Sequence, residues 1–187
     1  MVRKEDKQKQ LDQIAAEIIK NNVCPDLAKT AKHLVFGEGN PNAKIIFIGE
    51  APGRHEDETG RPFVGVSGKF LDELLTGIGL DRRDVYITSI LKYRPPNNRD
   101  PKLEEKIEFW PYLQAQLEVL RPHLIVTLGR HSLNCFLPKA TIGTMHGQPQ
   151  QWQSYALLPL YHPAAALYTR AVRQTIIDDF ALIKTFK

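Results

Sequence analysis

Ile45-Ile46-Phe47-Ile48 runs directly into Gly49-Glu50-Ala51-Pro52-Gly53. An apolar run this short, closed by a turn, reads as a buried strand rather than a buried helix. Two glycines and a proline then fix a tight turn that presents Glu50 and backbone N–H groups at the strand's end. Three further runs rich in Ile, Val and Leu have the same character: Val85–Ile90, Leu124–Leu128 and Leu157–Leu160. Helical stripes lie between them. Ser67–Ile78 carries Phe70, Leu71, Leu74, Leu75 and Ile78 on one face, and Lys102–Leu120 opens after Asp100-Pro101 with a kink expected at Pro111. A first helix is expected near Gln8–Asn21 and a last one near Gln174–Phe186. The alternation predicts an α/β chain: a three-layer α/β/α arrangement whose central four-stranded parallel sheet is covered by helices on both faces.

Ligands of such sheets bind at the carboxyl ends of the strands. The first strand runs into Glu50, and the second ends around Ser89 before Lys92-Tyr93-Arg94-Pro95-Pro96. The third runs into Gly129-Arg130-His131 and the fourth into His162-Pro163-Ala164-Ala165. A carboxylate, a hydroxyl, a basic turn and an imidazole are thereby expected on one rim.

The 187 residues, 42% of them hydrophobic, fit a single domain spanning 1–187 without repeat, low-complexity tract or linker. No apolar run approaches the roughly 20 residues of a membrane helix. Met1-Val2-Arg3-Lys4-Glu5-Asp6-Lys7 lacks a signal peptide's apolar segment, so a cytoplasmic, membrane-free protein is expected. The net charge of +4 is unevenly spread: Val119 to Ile177 contains no Asp or Glu but holds Arg121, Arg130, Lys139, Arg170 and Arg173. Such a stretch fits a nucleic-acid face, free of like-charge repulsion, as well as it fits a buried apolar segment. Cys24 and Cys135 alone build neither a disulfide framework nor a four-thiolate metal site. No metal is expected, because the histidines lack zinc-site spacing. Gly65-Val66-Ser67-Gly68-Lys69-Phe70 is not a phosphate loop, since Phe63 and Phe70 stand where that motif needs glycine and a hydroxyl.

Beyond the first turn the chain continues through Glu56-Asp57 to Gly60-Arg61-Pro62-Phe63-Val64-Gly65-Val66-Ser67-Gly68, and here it resembles the family-4 uracil-DNA glycosylases. The resemblance takes in Arg94-Pro95-Pro96-Asn97-Asn98-Arg99, Pro122–Gly129 and His162-Pro163-Ala164-Ala165, and extends from about Asn21 to Leu182 with the motifs in family order. It implies the uracil-DNA glycosylase fold and a monofunctional DNA glycosylase, a hydrolase of the N-glycosidic bond of uracil in DNA that initiates base excision repair. A glycosylase flips its base into a pocket, stacks it on an aromatic ring and hydrogen-bonds its edge. By the resemblance, Phe63 is the stacking platform, and Gly49, Ala51 and Ser89 complete the base-binding set. His162 donates to the base oxygen as the leaving anion forms. Glu50 faces the base or sugar, and Glu56 is a second carboxylate for positioning water. Leu167 or Tyr168 fills the gap left in DNA, while Arg94, Arg99, Arg130 and Arg170 contact phosphates. Read singly, Phe63 suits a core, His162 a structural histidine, Glu56 a solvated turn and the arginines a plain surface.

Two departures stand out. Where most of the family holds a [4Fe–4S] cluster on four cysteines, this chain has Cys24, Leu27, Tyr93 and Phe109, so no cofactor is expected. Burying the three apolar side chains contributes roughly 1.5–3 kcal/mol each in place of the metal. Ser89 stands where the family usually has an asparagine that reads uracil. A hydroxyl reaches less far than an amide, which leaves hypoxanthine or xanthine as alternative substrates, and a non-catalytic damaged-DNA-binding module as the rival from another class. The basic insertion with which some relatives capture the sugar is missing after Lys92, and no lysine is placed for a Schiff base, so turnover without strand cleavage is expected; a monomer is expected as well.

Overall fold

The structure, a computed structural model, describes residues 4–186; Met1 to Arg3, part of the N-terminus read above, and Lys187 lie outside the described residues. The four apolar runs form parallel strands β2 (Ile45–Gly49), β3 (Tyr86–Ser89), β4 (Leu124–Leu128) and β6 (Tyr155–Leu160). The sheet is wider than the four strands expected. Antiparallel edges β1 (Glu38–Gly39) and β5 (Gln150–Trp152) extend it to six in the order β1-β3-β2-β4-β6-β5. These edges left no periodicity to read, being two residues long and Gln-Gln-Trp respectively.

Side chains of a strand alternate between faces, so each parallel strand serves two cores. Ile46, Ile48, Ile125 and Leu157 join Leu11 and Ile18 of α1 (Lys4–Lys20) and Phe109, Leu113 and Leu117 of α5 (Leu103–Leu120). Cys24 and Leu27, at and within the short α2 (Pro25–Ala28), belong to the same core. Ile45, Phe47, Val126 and Leu158 face the opposite way. They meet Phe70, Leu71, Leu74 and Leu75 of α4 (Val66–Gly77) and Ile176 and Phe180 of α8 (Arg170–Ala181), with Phe47 and Phe180 stacked at 5.6 Å. The result is the three-layer arrangement. Helix α5 continues through Pro111, and the last helix begins four residues earlier than expected and tightens to a 3-10 turn at Leu182–Phe186.

Register aligns the strand ends: Gly49 lies opposite Ser89, and Leu128 opposite Leu160. Three short helices start near this edge or just beyond it, α3 (Arg54–Thr59), α6 (Arg130–Phe136) and α7 (Ile142–Met145). Strand β2 lies between β3 and β4, so the crevice where strand order reverses opens beside Gly49 and Glu50.

Candidate active site

At the end of β2 a side chain has no room. A Cβ on Gly49 would lie 2.5 Å from the Phe63 ring and 3.3 Å from Ser89 Oγ, so glycine permits the ring and the hydroxyl to close on the strand end. Phe63 is buried, and its ring stacks on His162 with centroids 5.6 Å apart and planes inclined by 28°. His162, two residues past the end of β6, accepts the Ala164 N–H at Nδ1 (3.1 Å). Burial lowers its pKa to about 4. A neutral ring whose Nδ1 accepts must carry its proton on Nε2, leaving that nitrogen as a donor. Gly49, Phe63, Ser89 and His162, named from sequence, thus converge at the carboxyl ends of the strands, with Ala51 partly buried one residue past Glu50.

The two carboxylates have different surroundings. Glu56 is 9% exposed, and its oxygens accept three backbone N–H groups: Gly53 (3.1 Å), Val64 (2.9 Å) and Gly65 (2.8 Å). It therefore clasps the turn after β2 to the Phe63 loop. Glu50 is half-buried and faces a charged network. His131 Nε2 is 4.0 Å from Glu50 and 3.4 Å from Asp100; Lys106 Nζ lies 3.1 Å from His131 Nδ1, and Arg130 bonds Asp100 at 2.5 Å. Burial, then the Asp100 charge, holds the Glu50 carboxyl above its ordinary value. Burial, then Lys106, lowers the pKa of His131. Glu50, Asp100 and His131 bring potential ligand atoms within 4.8 Å of one another. Lys106 and Arg130 set positive charge beside this trio. Asp100 and Lys106 were not singled out from sequence: the first reads as a helix boundary, the second as an ordinary helical lysine.

The residues assigned to DNA lie around the same rim. Leu167 and Tyr168, the last residue and the cap of the 3-10 turn that follows His162, are 54% and 85% exposed, and Arg170 is exposed at the start of α8. Arg94 bonds Asn98 (2.8 Å), and Arg99 forks onto Glu105, with Nη1 2.9 Å from Oε2. Arg99 and Arg130 thus already hold carboxylates. The acid-free stretch divides: Leu124–Leu128 and Leu157–Leu160 are buried strand, whereas Arg130, Tyr168 and Arg170 are surface.

Cys24, Leu27, Tyr93 and Phe109 share one apolar cluster, with Tyr93 packed edge-on against Phe109 at 5.9 Å. Burial pushes the Cys24 thiol up to about 12, and it points at the Glu105 carbonyl (3.8 Å). One protonated thiol beside three side chains without sulfur does not fit a four-thiolate iron–sulfur cluster.

Comparison with known proteins bears on this geometry. The sequence profile of the uracil DNA glycosylase superfamily matches residues 36–181. The chain is 48% identical over 184 residues to the type-4 uracil-DNA glycosylase of Saccharolobus solfataricus, covering 93% of this chain and 85% of that protein. It is 47% identical over 182 residues to the Archaeoglobus fulgidus type-4 enzyme, covering 92% and 91%, and 39% identical over 182 residues to that of Thermotoga maritima, covering 95% of each.

Proposed function

The chain belongs to the uracil DNA glycosylase superfamily, and on that footing we propose that it is a monofunctional uracil-DNA glycosylase, a DNA repair hydrolase that cuts the N-glycosidic bond of a flipped uracil. The observation that carries this reading is the neutral His162 donor stacked beside Phe63 at the strand ends. The base stacks on Phe63. As the bond from sugar carbon to base nitrogen breaks, its electron pair moves onto the base, and His162 Nε2–H stabilises the developing oxyanion without transferring its proton. A water attacks the sugar carbon. Glu50 orients it, stabilises the positive charge growing on the sugar and accepts the water's proton, a role its raised pKa favours. Glu56 serves as the clasp of the pocket loop, its oxygens being engaged by three backbone donors.

The partner is DNA, bound by a monomer with Leu167 or Tyr168 filling the vacated stack and Arg94, Arg99, Arg130 and Arg170 placed for phosphates. No helix among the described residues is long and apolar enough to cross a membrane. The Leu27, Tyr93 and Phe109 packing takes the place of a metal cluster, and the enzyme works without a cofactor. Ser89, buried beside Gly49 and Phe63, reads the base edge directly or through water.

The test is base release from oligonucleotides carrying uracil, hypoxanthine or xanthine, with His162→Ala and Glu50→Ala as controls. Uracil release abolished or severely slowed in both variants is expected. Release of a purine instead would reassign the Ser89 pocket, binding without release would make the chain a damaged-DNA-binding module, and full activity in both variants would refute the mechanism.

A further inference from the structure

The stacking platform is held in an unfavourable backbone conformation. Phe63 has φ +52°, in the left-handed region, where a Cβ crowds the following carbonyl oxygen. Such a conformation persists only where its surroundings over-determine it. Glu56 grips the N–H groups of Val64 and Gly65 on one side. On the other side stands an arginine that sequence motifs did not single out. Arg82, in the 3-10 turn Arg82–Asp84 before β3, donates Nη1 to Phe63 O (3.0 Å) and Nη2 to Pro62 O. Those are the carbonyls on either side of the Phe63 Cα. The same guanidinium bonds Glu38 of β1 through Nε (2.8 Å) and Asp72 of α4 through Nη1 (2.9 Å), and its side chain is only 18% exposed. Close packing adds to the grip, for a Cβ on Gly68 would fall 1.9 Å from Phe63 O.

We propose that Arg82 is a positioning residue of the glycosylase: by binding both carbonyls that flank Phe63 it fixes the ring over Gly49 and beside His162, although it lies behind the pocket. The planar fork suits this task and the point charge of lysine does not, because one ammonium cannot reach four acceptors on three elements. The catalytic consequence rests on the glycosylase reading, whereas the grip on the loop stands apart from it.

Two readouts decide the matter, each on the full chain with Arg82→Lys and Arg82→Gln, so that one folded variant suffices; melting temperatures are read alongside. Amide hydrogen exchange at Phe63, Val64 and Gly65 is expected to quicken while that of β4 stays unchanged. Single-turnover uracil release is expected to slow by at least about tenfold, since displacement of a positioning group by an ångström can cost a hundredfold. That loss is expected to shrink in a Phe63→Ala background, because two substitutions acting through one element are not additive. Arg83→Ala, an exposed neighbour paired only with Asp81 among the contacts described, controls for loss of charge and keeps the wild-type rate. Unchanged exchange overturns the proposal, and so does a slowing of less than about tenfold or one that persists undiminished without the Phe63 ring. If the wild type releases no uracil, the glycosylase reading fails, and exchange still decides whether Arg82 holds the loop.

Discussion

Glu50 and His162 show how neighbours set the chemistry of a single side chain. Burial removes the charge from His162 by lowering its pKa to about 4, so the donor form persists across the neutral range. Burial and Asp100 raise Glu50, so on acidification it becomes protonated before an ordinary glutamate does. The acid limb of the rate profile is therefore assigned to Glu50. Asp100→Asn removes a like charge and releases Arg130, and both changes lower the Glu50 pKa. The acid limb of single-turnover release is expected to move to lower pH in that variant; an unmoved or upward-shifted limb would count against Glu50 as the proton acceptor. Phe63, Ser89 and His162 were legible through the motifs that surround them, at strand ends or in a glycine-rich turn, and not as single residues. Arg82 was not, since its acceptors lie 19 and 20 residues away and no local pattern joins them.

Helix α5 connects the sheet, the site and the N-terminal segment. Lys106 reaches His131, Phe109 packs on Tyr93, and Gln116 accepts from the fully buried Lys92, whose ammonium also meets Thr88 Oγ1 (2.6 Å) and the Ser89 carbonyl (2.8 Å). Burial drives the Lys92 pKa well down. Periodicity gave the helix within one residue, Lys102–Leu120 against Leu103–Leu120, since its apolar stripe is a local property. Which lysine on it would reach a histidine of another element is not. Phe109, wholly buried in the core around Cys24, Leu27 and Tyr93, is expected to matter for folding rather than chemistry. Phe109→Ala should lower unfolding free energy by roughly 3–5 kcal/mol in a denaturant titration. Purified wild-type protein should contain no stoichiometric iron; a bound cluster would show instead that the apolar packing had not replaced it.

At the scale of the molecule, the parallel sheet collects groups distant in sequence on one edge, and the acid-free stretch contributes basic residues to that edge. Binding that neutralises phosphates releases counterions, so the KM for DNA is expected to rise with salt. Arg170→Ala, exposed on the rim, should reduce the slope of log KM against log salt by about 1 and weaken binding uniformly across sequences. An unchanged slope would remove Arg170 from the DNA face.

The sequence alone determined the four central strands, the helices covering them and the residues at the strand ends, because apolar periodicity and turn chemistry are written within a few neighbouring residues. Motif order pointed to the superfamily for the same reason. Tertiary structure decided the rest: the two edge strands, the clasp from Glu56 to Val64 and Gly65, the Lys106–His131–Glu50 network and the Arg82 grip on Phe63. Each is a hydrogen bond or ion pair whose partner is chosen by packing, and packing exists only once the layers have closed on the sheet.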